Sequence, residues 1–159
     1  MLGRRYLVLL LPVIVLVGCA AIESARKSTT LQNSSQPVGK GRVSILFTAA
    51  DGVRLQEGVW VPPPETNYKV IPGKTTIAVR VVHDPMTNYL SSNVFESCIS
   101  LVASLKGNRV YVGEVNLKKN AVMLAIKDQA SGETVSEPVK ATLVALDPVK
   151  SCALETTSK

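Results

Sequence analysis

Beyond residue 41 the chain is divided into short apolar runs, each stopped by residues that force a turn. "RVSILFTA" (residues 42–49) is followed by Asp51-Gly52, "VRLQEGVWV" (53–61) by Pro62-Pro63-Pro64, and "NYKVI" (67–71) by Pro72-Gly73. Asp-Gly tolerates positive φ at both centres of a two-residue hairpin turn. Proline presets φ at the second position of a type II turn, and glycine accepts the reversed sign at the third. A proline run ends a strand because it cannot donate to a ladder. "TTIAVRVVH" (75–83) is the clearest strand, with Ile77, Val79 and Val81 on one face and Ala78 and Arg80 on the other. A polar loop (84–96) separates it from "SCISLVASL" (97–105), the Lys106-Gly107-Asn108 turn, "RVYVGEVNL" (109–117) and "AVMLAIKD" (121–128). "QASGE" closes a further hairpin, and "TVSEPV" (134–139) and "ATLVAL" (141–146) finish the set. Strand-like runs at roughly 8–12-residue spacing, without a helical period, predict an all-β fold: a single antiparallel β-sandwich of about seven or eight short strands. Residues 140–159 are the stretch where a short helix stays open.

The first residues have a different character. Arg4 and Arg5 form a positive n-region, residues 6–17 an apolar h-region of 12 residues, and Gly18 a small residue before Cys19. Leu16-Val17-Gly18-Cys19 resembles a bacterial lipobox. The resemblance implies cleavage before Cys19, a diacylglyceryl thioether on its sulfur and an acyl chain on its new amine. Each buried CH₂ contributes about 0.8 kcal/mol, so several chains hold a domain durably at a membrane where one does not. The alternative is an uncleaved helix over residues 6–22, short for a bilayer and interrupted by Pro12. "RRYLV" also admits a twin-arginine reading, although the strongly apolar h-region favours the general secretory route. Ala20 would follow the modified cysteine. The family's sorting rule keeps proteins with Asp there at the inner membrane, so the resemblance implies the outer membrane.

Composition narrows the partners. The formal net charge is +6 for 159 residues, and Arg4 and Arg5 leave with the leader. Lys106, Lys118 and Lys119 fall at expected turns, where they read as a solvated rim or, more sharply, as affinity for anionic lipid headgroups. Aromatic residues make up 4% of the chain, too few for a platform that stacks single-stranded nucleic acid. There are three cysteines. Acylation of Cys19 leaves Cys98 and Cys152, which an oxidising periplasm would let pair. That bond would close a loop of about 55 residues, for which chain entropy allows roughly 4 kcal/mol. Two separately buried thiols are the alternative. No C-x-x-C occurs and His83 is the only histidine, so no metal or other cofactor is expected.

Residues 1–18 are thus expected as signal peptide, 19–41 as a lipidated N-terminus and disordered linker, and 42–159 as the sandwich. The linker assignment rests on the Ser, Thr, Gln and Gly content of residues 20–41, without apolar periodicity. Over roughly residues 42–139 the turn order also resembles small bacterial lipoproteins with a transthyretin-like or PEGA-like sandwich. The matching residues are Asp51-Gly52, Pro72-Gly73-Lys74 before "TTIAVRVV", the Lys106–Tyr111 hairpin and "DQASGE", in which Asp128 can form an Asx-turn. Thr75 stands where that group often has histidine, an aromatic before Asp128 is missing, and the cysteine pair is not general to the group. The resemblance implies a fold and brings no catalytic residues.

The sequence offers little catalytic chemistry. His83 and Asp84 are adjacent, and strand neighbours point to opposite faces. There is no Gly-x-Ser-x-Gly elbow and no phosphate-cradling glycine loop. Glu57 and Glu65 flank Trp60 and read as a solvated edge. "VWVPPPETNY" (59–68) stands out, with Trp60 and Tyr68 as candidate partner-binding residues beside a stiff proline run; Trp60 as a core plug is the other reading. The expectation is a non-enzymatic outer-membrane lipoprotein, its domain in the periplasm. It would act as an interaction or assembly module, with the membrane and an envelope protein as partners. The alternative is a periplasmic ligand-binding or surface-polymer-acting domain. A cleft at His83, Asp84 and Asn88 would favour the second, a flat patch at Trp60 and Tyr68 the first.

Overall fold

The computed structural model describes residues 28–55, 66–85, 94–146 and 152. Cys19 and Trp60 lie outside the described residues, as do the expected signal peptide and Asn88. The strands are β1 (Thr29–Gln32), β2 (Ser34–Val38), β3 (Gly41–Ala50), β4 (Val53–Arg54), β5 (Asn67–Val70), β6 (Gly73–Asp84), β7 (Phe95–Leu105), β8 (Val110–Lys118), β9 (Ala121–Asp128), β10 (Val139–Thr142) and β11 (Val144–Ala145). They form two packed sheets, one in the order β10-β9-β8-β1-β5 and the other β11-β7-β6-β3-β2, with β4 against β3. The fold is the expected all-β sandwich, with eleven described strands where about seven or eight were expected. Among the described residues there is no helix, and β10 and β11 lie at the described start of the stretch where one was left open. Every ladder is antiparallel except β1 on β8.

The turn chemistry explains the hairpins. Asp51 and Gly52 take φ of 47° and 79°, the doubly positive pair of a type I′ turn. Tyr111 is completely buried, and its hydroxyl accepts the Lys106 N–H at 2.8 Å, tying the β7–β8 turn to the core. Pro72-Gly73 departs from expectation. Gly73 has φ 136°, well past the value of about +80° that a type II turn requires, and already begins β6.

The N-terminal boundary also differs. Residues 29–38 were expected as linker but form β1 and β2, so strands are present thirteen residues before residue 42. Polar composition hides this because β1 is held by ladders on both sides, parallel to β8 and antiparallel to β5. Its side chains are satisfied too. Thr29 Oγ1 donates to the Arg109 carbonyl at 2.8 Å, Lys69 Nζ donates to Thr30 Oγ1 at 2.8 Å, and Leu31 is fully buried. One apolar residue suffices where the backbone is paired on both edges.

Between β1 and β2 the chain crosses from one sheet to the other at Asn33, which is 1% exposed. Its N–H donates to the Thr66 carbonyl at 2.9 Å. Its Oδ1 accepts the buried Phe47 N–H at 2.8 Å, two residues beyond the last β2–β3 pair, Ser34↔Ile45. The β3–β6 register shifts between Phe47 and Ala49, so a β-bulge lies at the same place. Close packing continues along β8. A Cβ on Gly113 would meet Ile45 Cγ2 at 2.4 Å, and only a bare α-carbon lets the opposite sheet approach this closely.

Asn33→Ala should cost about 1–3 kcal/mol in urea unfolding, since it strands a buried amide. A cost of no more than a few tenths of a kcal/mol would show that Phe47 finds another acceptor.

Candidate functional site

The central strand β6 is apolar on its inner face. Its outer face, which a sandwich ordinarily shows to water, carries Ala78, Arg80 and Val82, all 9% exposed or less. Arg80 Nε donates to Glu96 Oε2 on β7 at 2.7 Å, and its Nη2 reaches the same oxygen at 2.7 Å. Both side chains are at least nine-tenths buried. The β6–β7 register sets Arg80 opposite Cys98 and Val82 opposite Glu96, so all four lie on one face. Cys98 is bonded to Cys152, with a Cα–Cα distance of 5.5 Å. The expected disulfide is therefore formed, and it seats residue 152 on the outer face beside the ion pair. A guanidinium within an apolar strand is stable out of water only with such a partner. A charge in the middle of an apolar run, Arg80 in "TTIAVRVVH", is the signal of such a partner in the sequence.

The other site residues are dispersed. Tyr68 sits on β5 at a sheet edge. Its ring packs against the core and its hydroxyl lies 3.5 Å from Asn33 Nδ2. His83 is the penultimate residue of β6, half-buried and stacked on Phe95 with ring centroids 6.5 Å apart. Burial holds its pKa below the ordinary 6.5, and the neighbouring Asp84 carboxylate opposes that shift.

A groove of about 750 Å³ runs along the outer side of β7. Ser100, Val102 and Ser104 line it with Lys74 and Glu137, and neither His83 nor Asp84 does. Lys106 and Glu133 pair at its rim at 3.5 Å. Hydroxyls and opposed charges suit hydrogen bonding to a polar ligand. Among the described residues, no group of three or more His, Cys, Asp and Glu side chains could hold a metal ion. No described helix is long and apolar enough to cross a membrane.

Asp128 holds the turn after β9. Its Oδ1 accepts the Ala130 N–H at 2.9 Å, the Asx-turn expected from the sequence, and the Ser131 N–H at 3.1 Å. The Ser131 N–H above all, then Ala130 and Arg109, hold its pKa below the ordinary 3.8, against the opposing effect of burial.

No family model, curated protein or solved structure matches the chain.

Two predictions follow from this geometry. Removing one ion-pair partner, as in Glu96→Gln, should cost about 3–5 kcal/mol, while Arg80→Met with Glu96→Met should recover most of the loss. Equal losses in the single and double variants, measured by urea unfolding, would mean that the two charges do not act as a pair. A carboxyl whose folded pKa is depressed stabilises the fold above its unfolded pKa and loses that contribution as pH falls through the folded value. Stability should therefore decline below about pH 4 through Asp128, and Asp128→Asn should flatten the decline while keeping the turn. An unchanged acid slope in that variant would remove Asp128 from the account.

Proposed function

We propose that this chain is a lipid-anchored, non-enzymatic interaction module of the bacterial envelope, held at the outer membrane through Cys19 with its sandwich in the periplasm. We place it beside the small transthyretin-like or PEGA-like lipoproteins. One observation carries the reading, namely that Cys98 and Cys152 are joined. Pairing of these two leaves Cys19 as the single unmatched cysteine, at the end of Leu16-Val17-Gly18 after a charged and then apolar leader. An oxidised pair in a small domain accords with an exported chain, and acylation accounts for the odd thiol. Trp60 and Tyr68 remain the proposed contact residues for an envelope protein. A second reading, capture of a polar ligand or polymer, has the hydroxyl-lined groove along β7 in its favour.

Intact-mass measurement of the native product should give a chain beginning at Cys19 with added acyl mass. Cys19→Ser should abolish labelling by radioactive palmitate. The mass of unmodified residues 1–159 would overturn the proposal. Crosslinking in cells should recover an envelope protein, and Trp60→Ala should lose it while keeping the melting temperature. A large fall in melting temperature would assign Trp60 to the core instead.

A further inference from the structure

We infer that one end of the sandwich is a docking face for an anionic phospholipid surface, an inference that rests on the proposed acylation of Cys19. The topology gathers specific residues at that end. The Ser28 carbonyl accepts the Asn108 N–H at 3.1 Å, which fixes the start of the described chain beside the β7–β8 turn. Thr29 pairs with Val70, so Ile71 and Pro72 lie alongside. Gly73 pairs with Leu105 and Lys74 with Ser104, which puts the β5–β6 turn next to Lys106. The Asp51-Gly52 turn is clamped to β6 by Asp51 N–H on the Thr76 carbonyl at 2.8 Å and Thr76 N–H on Asp51 Oδ1 at 2.7 Å.

These turns carry a combination found nowhere else among the described residues. Ile71 is 81% exposed and Val53 65%, the two highest values among the exposed large apolar side chains. Arg54 follows Val53 on β4, Lys74 stands three residues after Ile71 on β6, and Lys106 and Arg109 flank the β7–β8 turn next to it. Asp51 is engaged by Thr76, whereas Asp128 and Glu133 pair with Arg109 and Lys106, so the excess positive charge at this end rests on Arg54 and Lys74. Apolar tips ringed by cations match the boundary between headgroups and acyl chains of an anionic bilayer.

Contour length favours the same end. Nine residue steps separate Cys19 from Ser28, a reach of about 30 Å at full extension. The 11-residue β7 is itself on the order of 33 Å long. The opposite end, with the Gly39-Lys40 and Lys119-Asn120 turns, is therefore about one tether length further from the anchor. Nearness and surface chemistry select one face.

The test uses the native acylated chain reconstituted in phosphatidylglycerol-rich vesicles, with amide hydrogen exchange read by peptide. Peptides covering 51–55, 69–75 and 105–110 should exchange roughly tenfold more slowly than in detergent, while 38–42 and 117–121 stay within about twofold. The protection should shrink in all-phosphatidylcholine vesicles and at 1 M salt, where the screening length falls to about 3 Å. Ile71→Ser with Val53→Ser should abolish it. Equal exchange at both ends, protection at the far end, or protection indifferent to that double variant and to lipid charge overturns the docking face. Intact mass on the same sample reports Cys19 separately. An unacylated chain would sink the anchor, and the double variant would still decide the face.

Discussion

A single buried amide reconciles two demands on this sandwich. A strand that passes from one sheet to the other leaves a gap in the ladder it abandons and another in the ladder it has not yet joined. Asn33 sits at that crossing, 1% exposed, and its side chain replaces a backbone acceptor for Phe47. Its own N–H stays with the first sheet through the Thr66 carbonyl. Residues 29–38 can thereby close the sandwich on one side, as β1 between β8 and β5 and then as β2 on β3. Serine or alanine cannot span both duties, because the acceptor must reach past the end of β2 into the bulge on β3. The neighbouring absence of a side chain at Gly113 belongs to the same arrangement, since Ile45 packs directly onto β8 there.

The parts of the fold that were legible in the sequence are those that local chemistry decides. Asp51-Gly52, Lys106-Gly107-Asn108 and Asp128 each satisfy a backbone requirement within a few residues, and each appears where its residues predicted. The inner face of β6 was equally plain, because Ile77, Val79 and Val81 alternate with nothing to contradict them. What escaped depends on neighbours distant in sequence. Thr29 and Thr30 look like linker until β8 and β5 stand on either side. Gly73 looks like a turn residue until its pairing with Leu105 draws it into β6.

The outer face of the β11-β7-β6-β3-β2 sheet shows the same limit for site residues. Cys98 and Cys152 could be matched by counting once Cys19 is set aside for the expected acylation, with two separate thiols as the alternative. Counting does not say that the bond would lie opposite Arg80, or that Arg80 would find Glu96 two positions from Cys98. A buried ion pair is an uncertain source of net stability, because desolvation offsets much of its attraction. Its firmer consequence is positional: each charge forbids any arrangement that leaves the other alone. The disulfide adds a topological constraint. The loop from 98 to 152 contains β8, β9, β10 and β11, so one bond on the outer face of one sheet restricts three strands of the other in the unfolded chain.

These constraints also give the domain a direction. Strands of nine to twelve residues, β6, β7 and β8 among them, keep their turns in two groups at opposite ends. Ile71 and Val53 stand bare on turns at one of these ends, where a polar residue would serve the same backbone. The placement of Ile71 beside Ser28, set by the Thr29–Val70 pair, becomes intelligible if that end faces lipid. The far end, bearing Lys40, Lys118 and Lys119, then projects away from the bilayer into the aqueous space. At that end β2 and β8 advance in step, since Ser34 Oγ donates to the Gly113 carbonyl and Gln36 Oε1 accepts the Val115 N–H, so the two basic turns are neighbours.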